Sequence, residues 1–190
     1  NNNASLIIVA CGLTIVMIGG GIDISVGGVT ALVVMSCIVH MNNGGSIFTA
    51  ILLALGIGIA FGLVQGYLIS YLEIQPFIIT LAGMFFARGM TTIVSLEPQK
   101  IAHEGFKQLM NTKIQIPWLG YTAKNGNLIP ARMEIGVVVA LLIVVIVFVL
   151  LKKIRLGRHF YAMGGNSQSA MMLGVNVKRT RFYSYLISGT

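Results

Sequence analysis

Few residues in this chain could do covalent chemistry. Five acids, three histidines and two cysteines are scattered through 190 residues. Metal-assisted or nucleophilic catalysis needs such groups at close, patterned spacing, and His40, His103 and His159 stand far apart. Cys11 and Cys37 lie inside apolar runs, as small buried side chains do, with no spacing that suggests a disulfide or a metal pair. The sequence therefore points away from an enzyme and from a bound metal or cofactor, and a membrane-embedded enzyme with so few acids is disfavoured.

One acid sits where an acid should not be. Asp23 lies in "GGGIDISVGG", residues 19–28, where five glycines and Ser25 interrupt apolar sequence. Each glycine weakens a helix by about 1 kcal/mol, so a break is expected here. In lipid, freed backbone groups are tolerated only where protein or a water-filled cavity covers them, and a charge at the bilayer centre costs at least about 2.5 kcal/mol. Two readings stand. The break lies at the membrane surface, with Asp23 and Ser25 capping a helix, or Gly21, Asp23, Ser25 and Gly27 line the route of a polar solute. A phosphate cradle is the third option, but a P-loop needs lysine followed by serine or threonine, and Val29 and Thr30 supply neither.

The elements that hold this motif are read from composition. Hydrophobic residues make up 56% and charged residues 9%, with a mean hydropathy of +0.87. A soluble domain carries roughly a quarter charged residues, and a membrane helix needs about 20 apolar ones. The expected fold is an all-α, polytopic membrane bundle forming a single domain over residues 1–190. Apolar stretches cover 4–41 (broken at 19–28), 46–72, 77–96 and 133–151, with a new helix starting at Arg179. "NNGG" at 42–45 and "EIQP" at 73–76 are turns, and 97–132 is the one long polar connection. Gly56, Gly58, Gly62 and Gly66 form a small-residue stripe for close helix packing, or part of a translocation path. Arg88 either snorkels to an interface or faces the bundle interior.

Charge sets orientation. The net charge is +8, and seven of the thirteen Lys and Arg fall within 152–181, which has no acid. Basic residues crowded beside membrane helices mark the cytoplasmic side, which makes 152–178 cytoplasmic and 97–132 external. The five basic residues of 97–132 are partly offset by Glu97 and Glu104. No aqueous domain is present to carry a nucleic-acid patch. The chain opens on "NNNASL" and stops within a new apolar run, as a piece of a longer protein would.

The stretch 157–175, "GRHFYAMGGNSQSAMMLGV", has a basic start and a "GGN" turn in which Gly165 is expected to take a positive dihedral. A short helix follows over 167–173, capped by Asn166 or Ser167 and stopped by Gly174. It cannot span a membrane, yet Ala170, Met171, Met172 and Leu173 make it apolar. Such a helix docks into a partner's groove or lies among lipid headgroups.

At these residues the chain resembles a known family. "GGGIDISVGG" is similar to the "GGIDLSVGS" motif of sugar permeases in bacterial ATP-binding-cassette (ABC) importers of the ribose, xylose, arabinose and galactoside type. "LGRHFYAMGGNSQSAMMLGVNV" resembles their cytoplasmic loop, and the likeness runs end to end in register. "FIITLAGMFFARGM" at 77–90 looks most like the galactofuranose branch. The departures are Ile24 for leucine, Gly28 for serine and Met171 for alanine.

The resemblance implies the N-terminal part of a permease of about ten helices in the bacterial inner membrane, importing a pentose or hexose. It implies a second permease subunit, identical or not, an ATPase that hydrolyses ATP in its stead, and a periplasmic sugar-binding protein. It places Gly157, Arg158, Tyr161, Ala162, Gly164, Gly165, Asn166 and Gly174 in the loop that couples to the ATPase. An ion-coupled secondary transporter of a small polar solute is the alternative, since it also uses broken helices, but it would need no docking loop.

Overall fold

The computed structural model describes residues 3–122 and 128–190. Helix α1 (Ala4–Ile18) and α2 (Val26–Asn42) flank the glycine-rich break. Helices α3 (Ile47–Ser70), α4 (Pro76–Val94) and α6 (Ile135–Lys153) are each long and apolar enough to cross a membrane. Short α5 (Glu104–Asn111) and a hairpin of β1 (Lys113–Thr122) and β2 (Leu128–Glu134) fill the connection between α4 and α6. The chain then runs through α7 (Arg155–Gly165), α8 (Ser167–Met172) and α9 (Val177–Gly189).

Local chemistry explains the boundaries. Gly20 (φ 74) turns the chain out of α1, and Gly44 (φ 88) makes the turn after α2. Ser46 caps α3 by accepting the Thr49 N–H at 3.2 Å, and Pro76 opens α4, where its missing N–H is harmless. Asn166 accepts from the Gln168 and Ser169 amides at 3.0 Å, and Gly174 (φ 82) follows the end of α8. Those two expectations hold.

Three findings differ from the sequence reading. Segment 152–178 is largely helical rather than a loop, and α9 starts at Val177, where Asn176 caps it by accepting the Arg179 amide. Within the 97–132 connection the described residues form a helix and two paired antiparallel strands. Gly165 ends α7 without a positive φ, and a Cβ there would meet nothing within 4 Å. Gly164 is the constrained member of the pair, because a Cβ there would strike the Ile18 carbonyl of α1.

Packing relies on missing side chains. Along α3, Gly58, Gly62 and Gly66 face α9, where added Cβ atoms would press on the backbones of Gly189, Leu186 and Phe182. The spacing of four aligns them on one face, and close backbone approach is how helices associate in lipid. Gly56 faces open space. Gly157 lets α7 fold against the Leu150 and Leu151 carbonyls at the end of α6. Ile15, Phe160, Met163, Ala170 and Val177 then form a buried cluster that joins α1, α7, α8 and α9.

The outer faces are apolar. Only 6% of the α6 window and 11% of the α4 window are buried, and Leu141, Val145 and Phe148 are more than half exposed. Arg88 is exposed on α4, six residues from its end, about 9 Å along the helix. That position suits a side chain that snorkels.

Candidate functional site

The break between α1 and α2 is tied to two other helices. The Ser25 backbone N–H donates to Asp23 Oδ1 at 2.9 Å, closing a tight local turn. Ser25 Oγ lies 2.7 Å from the same carboxylate oxygen and 3.2 Å from the side-chain oxygen of Gln65 on α3. From α9, Tyr185 Oη donates to the Ile22 carbonyl at 3.1 Å. An unwound segment in lipid must have its backbone groups paired or covered, and Tyr185 does this for Ile22.

Room for these contacts comes from two glycines. A Cβ on Gly21 would come within 2.7 Å of Tyr185 Oη, and a Cβ on Gly83 of α4 would strike the Gln65 amide nitrogen. That nitrogen is buried with no hydrogen-bond partner among the described residues. A buried, unpaired N–H costs roughly 1–3 kcal/mol.

A cavity of about 480 Å³ opens beside the break, walled by α1, α2, α3, α6 and α9. Its polar lining includes Asp23, Ser25, Gln65, Tyr185 and Ser188; most of the remaining wall is apolar. This size and mixture are those of a small-molecule site. Of the four residues expected along a solute route, Asp23 and Ser25 line the cavity. Gly21 packs beside Tyr185, and Gly27 faces open space.

The depth of the break follows from its partners. Gln65 lies five residues before the end of α3 and Tyr185 eight residues after the start of α9, about 7.5 and 12 Å along their helices. Asp23 and Ser25 thus sit inside the bundle, about a third of the way in from the end that carries α7 and α8. The motif leads into α2 within the packed interior, and no side chain of it caps that helix.

The second region lies at that same end of the bundle. Helix α7 presents Arg155, Arg158 and Tyr161 outward, while Phe160 and Met163 are buried. On α8, Ala170 is buried, and Met171, Met172 and the following Leu173 are 61%, 88% and 82% exposed. Glu73, in the α3–α4 turn, pairs with Lys178 at 2.7 Å, and this ammonium holds the Glu73 carboxyl below its ordinary value. The pair fastens the turn to the start of α9.

Gln65, Tyr185 and Ser188 were not picked out from sequence. Gln65 left one usable signal: it is an isolated amide within a long apolar span, and polar groups are seldom left in lipid without a partner.

The model of the branched-chain amino acid transport system permease component matches residues 2–190. The chain belongs to this permease family. Its apolar, outward-facing helices accord with that membership, and the protein is an integral membrane protein. The permease is 36% identical over 189 residues to the fructose import permease protein FruG of Bifidobacterium longum, covering all of this chain and 54% of that protein. It is 39% identical over 188 residues to the inner membrane ABC transporter permease protein YjfF of Escherichia coli, covering 98% and 54%. The galactofuranose transporter permease protein YtfT of the same species is 32% identical over 189 residues, covering 100% and 51%. The chain spans about half the length of these relatives. No solved structure matches it.

Proposed function

We propose that this chain is part of the permease subunit of an ATP-binding-cassette importer that carries a monosaccharide across the bacterial cytoplasmic membrane. The observation that supports this best is the likeness, over the whole chain, to permeases whose names specify fructose and galactofuranose.

The basic end, with α7 and α8, faces the cytoplasm, and α5 with the hairpin lies on the periplasmic side. Helix α8 offers Met171, Met172 and Leu173 to a separate ATPase subunit. Gly157, Gly164 and Gly174 shape the mount that holds it, and Arg158, Tyr161, Ala162, Gly165 and Asn166 belong to the same region. A periplasmic sugar-binding protein delivers solute at the opposite end, and a second permease subunit completes the path. The solute passes Asp23 and Ser25.

The permease itself makes and breaks no covalent bond. ATP binding on the partner shifts the balance of permease states only through differential contacts, and α8 is placed to supply them. The test is uptake of radiolabelled fructose and galactose into vesicles holding the full-length permease, its ATPase and its binding protein. Uptake should require ATP and the ATPase. Uptake that survives loss of the ATPase but collapses with an uncoupler would establish ion coupling instead.

A further inference from the structure

The hydrogen bonds around Ser25 do not balance as a set. Its hydroxyl carries one proton, yet it lies 2.7 Å from Asp23 Oδ1 and 3.2 Å from the Gln65 side-chain oxygen, two acceptors. Meanwhile the Gln65 amide nitrogen, buried against Gly83, has no acceptor among the described residues. Turning the amide over, which its nearly identical ends allow, removes the conflict at Ser25 and exchanges the orphaned NH2 for an unpaired carbonyl oxygen, the less costly orphan. The Gln65 N–H then donates to Ser25 Oγ, and the Ser25 O–H donates to Asp23 Oδ1. The amide oxygen then lies in the space that the absent Gly83 side chain leaves, with no donor among the described residues.

We propose that Gln65 is the positioning residue of a polyol-binding site centred on Asp23. The chain of bonds has a direction, Gln65 to Ser25 to Asp23, and it starts on α3 and ends in the break. Two donors from Ser25, its N–H and its O–H, occupy Oδ1. Asp23 lines the cavity, and its Oδ2 has no hydrogen-bond partner among the described residues. An acceptor held this way recognises a hydroxyl donor, and the cavity has room for a monosaccharide-sized polyol. Ser188 lines the same cavity, and its Oγ is buried without a partner among the described residues. Gln65 acts through Ser25: it fixes the serine rotor, and the serine fixes the carboxylate.

This rests on the reading of the cavity as part of the solute route, so the experiment separates the two. The full-length permease is reconstituted with its ATPase and binding protein, and fructose or galactose uptake is measured per ATP hydrolysed. Gln65→Met keeps the bulk and loses the N–H; uptake per ATP should fall about tenfold, the effect of one well-placed hydrogen bond, with stimulated ATP hydrolysis retained. In a Ser25→Ala background the same change should have less than about a twofold effect, since the relay is already cut. Gln65→Leu also lacks the donor and leaves the pocket filled, so it should fall in the same direction.

If Asp23→Asn leaves uptake unchanged, the cavity is not on the route and the function reading of this site fails. If Asp23→Asn impairs uptake while Gln65→Met and Gln65→Leu do not, the route stands and the positioning role is overturned. An equal effect of Gln65→Met with and without the Ser25 hydroxyl would also overturn it, because Gln65 would then act otherwise than through Ser25.

Discussion

Tyr185 and Glu73 show how single side chains hold this molecule at places where its backbone departs from helix. The Tyr185 phenol donates to a carbonyl that the glycine break has left without a helical partner. Tyr185→Phe keeps the ring but orphans that carbonyl, so thermal stability in detergent should drop by about 1–3 kcal/mol. An unchanged melting temperature would mean that water replaces the phenol. Glu73 takes a left-handed φ of 55, uncommon for a residue with a side chain, and Lys178 secures it. Its folded carboxyl titrates below the ordinary value of 4.5. The ion pair therefore adds stability above that pH, and the contribution disappears as pH falls through the lowered folded value. Glu73→Gln should be less stable than the wild type at neutral pH and match it once both are fully acidified. The gap should narrow in high salt, since both partners are exposed. A gap that persists in acid would assign the effect to packing.

Between elements, the decisive contacts are those that only glycine permits. Gly164→Val drives a side chain into the Ile18 carbonyl and separates α7 from α1, which should cost roughly 1–3 kcal/mol as overpacking does. Gly165→Val meets nothing and needs no positive φ, so it should fold normally, although the turn-like sequence around it predicts a positive dihedral there. Unfolding of both variants in detergent ranks them directly. Much of this architecture was legible because its signals are local. The break at 19–28, the Asn166 cap and the Gly174 stop depend on residue types that act on their own backbone. Helix α7 was hidden because three glycines and a basic start disguise it, and its helicity draws on Phe160, Met163 and the close seat of Gly157 on α6. The hairpin was hidden because alternation in "KIQI" is brief and Pro117 and Pro130 interrupt the strands. Gln65 was hidden because its partner, Ser25, is forty residues away, and no spacing rule links them.

For the whole molecule, orientation is the first thing to measure. In a cysteine-free background, an impermeant thiol reagent on intact cells should label Gln108→Cys, exposed on α5, and not Ser167→Cys at the start of α8. The opposite pattern would invert the topology. Asn125, another natural probe for the external connection, lies outside the described residues. The exposure of α6 also makes the bilayer itself a mechanical partner. At about 28 Å, α6 nearly matches a hydrocarbon core of about 30 Å, and among the described residues few neighbours fix its tilt. A thinner bilayer should lean it over, and a thicker one should draw it upright or thin the lipid around it. Because Gly157 seats α7 directly on the last carbonyls of α6, that lean turns into a swing of α7 and the helix beyond it. The length of the acyl chains around the protein would thus adjust its gearing, with no ligand involved.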